Sequence, residues 1–291
     1  MASAVVIYAV SWIFRTLRLD SLCKNVGANI GILELFKLYI SGNALNVILP
    51  AKLGDAAVIC YLNMRGIGIG MSTAITVQCR ILDVLALIML SLPSVILLFR
   101  ESPPEWIWFM LIASVLIVSL PLGIMLLIRY RKLQHLLNRN FGLQMKNRYL
   151  RLFAMKAKDA YLGYLKIASA KPLFAVTLLL SLSIWLFDCL TCYAVSLAVG
   201  VQVPILVVIL AVSLANVGKS APATPGSIGI YESILAAVLV LFGLSMELAV
   251  PIAILDHAIK NFFTLALGVP ATMEQSLDLR KLVERSDVEE C

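Results

Sequence analysis

Long apolar runs, interrupted at intervals by polar clusters, dominate the chain. A membrane-spanning helix needs about 20 consecutive, mostly apolar residues. Stretches that meet this test recur at 69–99, 106–128, 173–198, 205–217 with 230–242, and 248–269. The apolar opening at 2–14 is shorter. It has no basic residue before it and no small-residue cleavage site after it, so it does not fit a secretory leader. It is expected to be a short or truncated first span, followed by Arg15, Arg18 and Lys24. The polar stretch 129–171 and the mixed-charge tail 271–291 are expected to be connectors.

Composition sharpens this picture. Apolar residues make up 61% of the 291, charged residues only 14%, and mean hydropathy is +0.94, against roughly 45–50% and about 25% in soluble domains. No room is left for a separate soluble catalytic domain. The net charge of +7 is unevenly placed: 11 of the 24 basic residues fall within 129–171, against the single acid Asp159. Such a cluster is a topology signal that keeps a loop cytoplasmic, not a nucleic-acid surface. A multi-pass protein of the cell membrane follows, with 129–171 and the C-terminus cytoplasmic. Cys189 and Cys192 have metal-like spacing but lie within an apolar run with no second pair. His135 and His257 are the only histidines. No metal site and no cofactor are expected.

With 15–37 and 129–171 inside, the short loop 100–105 falls outside, and 38–67 must enter and return on one side. Gly42, Asn43, Asn46, Pro50, Gly54, Gly66, Gly68 and Gly70 interrupt that segment and disfavour one continuous helix. A re-entrant hairpin with its bend near 50–55 is expected. Residues 172–198 then run outward, 204–242 carry a second break at 218–226, and 248–269 return inward. The expected fold is an all-α polytopic membrane protein, an inverted-topology repeat with two re-entrant or broken helical hairpins. Its half-repeats cover about 1–128 and 172–270, joined by the linker 129–171 and followed by the tail. Echoes support the symmetry: Asn46-Val47 with Asn216-Val217, Gly54 with Gly226, and Ile81-Leu82-Asp83 with Ile254-Leu255-Asp256, at separations of 170, 172 and 173 residues. Paired interrupted segments in two halves point to a transporter's binding site.

Charges in or beside the spans are Lys52, Arg80, Lys219 and Lys260, with Asp55, Asp83, Asp188, Glu232 and Asp256. Each would cost roughly 2.5–3.5 kcal/mol at a helix centre facing lipid, so they are expected to face protein or water. Arg80 with Asp83 at i, i+3 and Asp256 with Lys260 at i, i+4 share helix faces; Asp188 has no partner on its own helix. These pairs either tie helices together or form a functional cluster. Pro225-Gly226-Ser227-Ile228-Gly229-Ile230-Tyr231-Glu232 bends the chain just before an apolar helix, whose first N–H groups lack intrahelical partners. With Lys219 and Thr224 nearby, this end suits a phosphate, and Glu232 suits a cationic group or a proton. The plainer alternative is a helix start with a capping acid.

At these residues the chain resembles a known family. Asn46-x3-Pro50-x3-Gly54-Asp55, Arg80-x2-Asp83 and Pro222-x-Thr224-Pro225-Gly226-x2-Gly229-x2-Glu232 resemble the flippase-like membrane domain related to the transmembrane part of lysylphosphatidylglycerol synthase, over roughly 32–268. The resemblance implies an all-helical domain that moves lipids or lipid-linked sugars between leaflets, sometimes fused to a synthase or glycosyltransferase. The implied partners are membrane lipids or polyprenyl-phosphate-linked glycans, and a synthase or glycosyltransferase. Two departures stand out: Ala56-Ala57-Val58 follow Asp55 where the family often has a basic residue, and His257 stands where an arginine is common.

The expected headgroup contacts are Arg80, Lys219, Thr224, Gly226, Gly229 and Glu232. Asn46, Lys52, Asp55, Asp83, Asn216, Asp256, His257 and Lys260 are expected to form the surrounding polar cluster. Flipping or scrambling of a phospholipid or polyprenyl-linked headgroup is the leading expectation. Ion-coupled solute transport, a non-catalytic partner of a lipid-modifying synthase or glycosyltransferase, and a membrane-embedded transferase are the alternatives. The last lacks a paired-aspartate sugar-nucleotide motif.

Overall fold

Apolar runs without strand-length punctuation give helices, and in the computed structural model no strand occurs among the described residues, which are 1–49, 52–99, 102–116, 148–219 and 224–289. The side chains of 148–154, 157, 168 and 276–289 fall outside that description. So do expectations on 117–147, on Pro50 and on 220–223. The helices are α1 (Ala2–Asn25), α2 (Ile32–Ile48), α3 (Leu53–Met64), α4 (Ile69–Leu98), α5 (Glu105–Leu116), α6 (Arg148–Ser169), α7 (Lys171–Ala198), α8 (Ile205–Gly218), α9 (Ile230–Leu241) and α10 (Met246–Glu289), with a helical turn at Pro225–Ser227. Four are long and apolar enough to cross a membrane: α1, α4, α7 and, within α10, Met246–Gln275.

Three expectations need correction. The opening is not a short span ending at Phe14: α1 continues to Asn25, and Arg15 and Arg18 lie buried within it. The helix continues because Tyr8, Trp12, Arg15 and Leu19 recur at helical spacing on one buried face. Half of the stretch 129–171 is not a bare connector but the helix α6. It lies against α4, where Gly70 meets Asp159 and Gly163 meets Met71 and Ala74. The chain also does not leave its last helix at Pro270. α10 runs through it to Glu289, since one missing N–H is tolerated where packing holds both sides. That packing is with α2. A Cβ on Gly268 would stand 2.5 Å from Ala44 Cβ and Lys37 bonds Glu274 at 2.8 Å, while Arg65, just past α3, adds a bond to Gln275 at 3.2 Å.

Two apolar clusters form. One joins α1, α2, α3 and the first half of α4; the other joins the end of α7 to α8, α9 and the start of α10. Ala86, Leu87, Trp185 and Val217 pack where they meet. The outer surface is apolar, with Phe262 76% and Ile96 74% exposed, while Arg18 is 0% exposed. This inverts the habit of soluble proteins and suits a lipid surround.

Both chain breaks fold back antiparallel. In the first, Gly42 faces Gly54 and Val58 while Glu34 pairs with Arg65 at the open end. In the second, Gly218 faces Ile234. The first hairpin opens beside the N-terminus of α4. The second opens where Phe242 meets Phe99 edge-on, ring centroids 5.3 Å apart, at the other end of that helix. At 1.5 Å per residue the 30 residues of α4 separate these ends by about 45 Å.

Gly54 carries the closest approach: a Cβ there would collide with the Gly42 carbonyl and stand 2.7 Å from the Asn46 nitrogen. Gly54→Ala is expected to cost about 1–3 kcal/mol through overpacking, read as a lower Tm in detergent. Gly31→Ala, with open space around the position, leaves Tm unchanged.

Candidate functional site

Buried charge in an apolar bundle demands partners, and α1 supplies two. Three residues apart, Arg15 and Arg18 lie on one helix face. Arg18 Nη1 donates to Asp83 Oδ1 at 2.5 Å and to Ser181 Oγ at 2.8 Å, and its Nη2 reaches Tyr39 Oη at 3.3 Å. Trp185 Nε1 donates to the same Asp83 oxygen at 3.1 Å. Arg18 thereby joins α1, α2, α4 and α7. Arg15 Nη2 donates to Asp188 Oδ2 at 3.0 Å, and its guanidinium stands 5.6 Å from the Trp12 ring centroid and 5.3 Å from that of Trp185. Asp188, without a partner on its own helix, has found one across helices.

The first break carries the next layer. Arg80 forks onto Asp55, with Nε 2.9 Å from Oδ2 and Nη2 on Oδ1, and Asn46 Nδ2 donates to Asp55 Oδ1 at 2.8 Å. Arg80 therefore serves Asp55 first. Its approach to Asp83, the i, i+3 neighbour, is a looser 3.7 Å, because Arg18 already occupies that carboxylate. Lys52 caps α3 in the left-handed region, at φ 55°.

In the second half, Lys260 Nζ donates to Asp256 Oδ2 at 2.9 Å and to Tyr231 Oη at 3.2 Å; Tyr231 Oη donates to Asp256 at 2.6 Å. His257 lies between Glu232 and Lys219, with Nδ1 2.5 Å from Glu232 Oε1 and Nε2 3.4 Å from Lys219 Nζ. Its ring tilts onto Tyr231 at a centroid distance of 4.5 Å.

These layers line a partly open cavity of about 170 Å³ between the two breaks. Gly226 closes onto the end of α2: a Cβ would lie 3.0 Å from the Val47 carbonyl, and its φ of 60° favours glycine. Of the headgroup residues expected from sequence, Arg80, Lys219 and Gly226 line the cavity, and Thr224, Gly229 and Glu232 do not. The reason is local. The Gly229 N–H already donates to Glu232 Oε2 at 2.7 Å, and Thr224 Oγ1 donates to the Ile228 carbonyl at 2.9 Å. This helix start caps itself with its own acid, the plainer of the two alternatives. Of the expected polar cluster, Asn46, Lys52, Asp83, Asn216 and Lys260 line the space, and Asp55, Asp256 and His257 sit behind them.

Sequence reasoning missed Arg15 and Arg18 and left Asp188 unassigned; Tyr8, Trp12 and Trp185 on the cavity wall were missed too. The signal lay in Tyr8, Trp12, Arg15 and Arg18 recurring at spacings of three and four. Removing one partner of a buried pair strands the other, at about 3–5 kcal/mol, whereas apolar replacement of both is often nearly neutral. Arg18→Met is therefore expected to lower detergent Tm sharply. The double variant Arg18→Met with Asp83→Leu is expected to recover a large part of the loss.

Residues 1–268 match the family described as lysylphosphatidylglycerol synthase TM region. Among curated relatives, the chain is 34% identical over 125 residues to glycosyltransferase AglD of Haloferax volcanii, covering 41% of this chain and 20% of that protein. It is 36% identical over 107 residues to a UPF0104 membrane protein of Methanothermobacter thermautotrophicus, covering 37% and 32%. A UPF0104 membrane protein of Methanocaldococcus jannaschii is 26% identical over 229 residues, covering 77% and 91%. The chain thus spans about a fifth and a third of the first two. No solved structure matches. The chain belongs to the family of the lysylphosphatidylglycerol synthase transmembrane region and is a membrane protein of that family.

Proposed function

We propose that this chain carries the headgroup of a phospholipid or of a polyprenyl-linked sugar across the bilayer, the headgroup passing through the cavity between the two breaks while its tails stay in lipid. One observation carries the proposal. Both interrupted segments reach the same cavity, and its polar wall is surrounded by helices whose outer faces are apolar. Polar residues at membrane depth mark substrate paths, and broken helices put that path at a repeat interface. Asn46 and Asn216, the echoing asparagines, both line it. That one hairpin opens at each end of α4 supports an inverted-topology repeat of two re-entrant hairpins, with halves at about 1–128 and 172–270. Lys37 and Arg65, the C-terminal part of α10 beyond Pro270, and α6 with Lys156 and Lys166 meet around one end of the bundle. A cytoplasmic position for that end, for 129–171 and for the C-terminus in the cell membrane accords with the bias of basic loops.

Group transfer is the second reading, favoured by the name glycosyltransferase on one partial relative. Its test is product formation by the purified chain from an activated sugar or aminoacyl donor. A synthase or glycosyltransferase as a separate partner is proposed on the same relative, and co-purification tests it.

Translocation is measured in proteoliposomes with fluorescent phospholipids and polyprenyl-phosphate sugars. Movement of at least one class is expected, and Arg80→Ala, which strips the first break of its guanidinium and strands Asp55, is expected to slow it about tenfold or more, as loss of a charge-assisted contact does. Product formation without lipid movement contradicts translocation.

A further inference from the structure

Charge pairing around the cavity is nearly complete, and its remainder is informative. Arg15 is matched by Asp188, Arg18 by Asp83, Arg80 by Asp55 and Lys260 by Asp256. Glu232 is held by His257. Of the described bases around the cavity, two have no carboxylate within ion-pair distance: Lys52 at the first break and Lys219 at the second. Both line the cavity. Lys219 rests against the Tyr231 ring, 5.0 Å from its centroid, which eases but does not neutralise its charge. Six bases against five carboxylates leave a formal excess of one positive charge. At membrane depth an uncompensated charge is costly, so the cavity favours an occupant that brings one negative charge.

An aromatic cage for a quaternary ammonium is not on offer, because Arg15 already sits by the Trp12 and Trp185 rings.

We infer that the cavity binds a phosphodiester monoanion bearing an uncharged substituent, its phosphate held by Lys52 and Lys219. The two breaks are thereby joined through the ligand, each supplying one lysine. That the phosphodiester belongs to a lipid rests on the translocation proposed above. The binding chemistry itself does not.

Trp12 and Trp185 on the cavity wall make intrinsic fluorescence of the purified full chain a direct readout. The probes are dihexanoyl phosphatidylglycerol, soluble glycerophosphoglycerol, dihexanoyl phosphatidylethanolamine and inorganic phosphate. Phosphatidylglycerol is expected to bind about tenfold or more tightly than the ethanolamine lipid. Lys52→Gln and Lys219→Gln are each expected to weaken it about tenfold, the loss of one charge-assisted contact. Lys52→Arg and Lys219→Arg, which keep the charge, are expected to restore most of the affinity and to show that the glutamine variants fail through charge rather than folding. Equal binding of the ethanolamine lipid, equal binding of inorganic phosphate, or indifference to both glutamine substitutions overturns the inference and leaves translocation standing. Soluble glycerophosphoglycerol binding as tightly as the lipid supports the phosphodiester site while counting against a lipid as its source.

Discussion

Arg18 is wholly buried in a helix that also spans the bundle, and three other helices supply its partners. Asp83, Ser181 and Tyr39 come from three other helices to meet its guanidinium. Without water, a guanidinium has no alternative to protein acceptors, so the position of α1 relative to α2, α4 and α7 is tied to this one contact. Asp83, once committed to Arg18 and Trp185, has little left for its own helical neighbour Arg80. Arg80 turns to Asp55, and Asp55 in turn fixes Asn46. The chain of pairings runs from the first span to the first break.

A bundle held by ion pairs rather than by apolar contact alone has a property that suits transport. Apolar side chains gain no hydrophobic free energy from facing one another rather than lipid tails, whereas a paired charge exchanged for another partner keeps its energy if a substitute is at hand. A headgroup phosphate is such a substitute for the carboxylates around it. The breaks matter for the same reason: irregular backbone at membrane depth persists only where protein or a polar cavity satisfies it. Here the left-handed Lys52 and Gly226, one at each break, turn the chain at the cavity edge. Glycine is favoured at Gly226, where the Val47 carbonyl closes in, whereas at Lys52 the conformation is strained and the side chain is delivered to the cavity.

Much of the architecture was legible in the sequence because hydropathy and helix breakers act locally. The apolar runs at 69–99, 173–198 and 248–269 correspond to α4, α7 and the apolar part of α10, and Gly54 and the proline and glycines of 225–229 stand where the chain turns. The Asp256 and Lys260 pair follows from helical spacing alone. What was not legible depends on contacts between distant segments. Arg15 and Arg18 read as the basic flank of a short span because charge beside an apolar run ordinarily marks its end; only Asp83 and Asp188, 65 and 173 residues away, explain their burial. Arg80 had two acids within reach, and which one it takes depends on Arg18. At Gly229 the sequence allowed both an open anion site and a self-capped helix, and the choice turned on the rotamer of Glu232. Pro270 misled for a similar reason: its local preference to end a helix is outweighed by the packing of α10 on α2.

The central claim is that a headgroup passes between the two breaks, and closing that gap tests it most directly. With the native cysteines replaced, Val47→Cys and Gly226→Cys set two thiols where a Cβ at 226 lies 3.5 Å from the Val47 side chain, within reach of a disulfide. Lipid movement in proteoliposomes is then measured before oxidation, after it, and after reduction. Arrest on oxidation with recovery on reduction is the predicted result. Undiminished movement through a protein shown to be fully cross-linked contradicts the account.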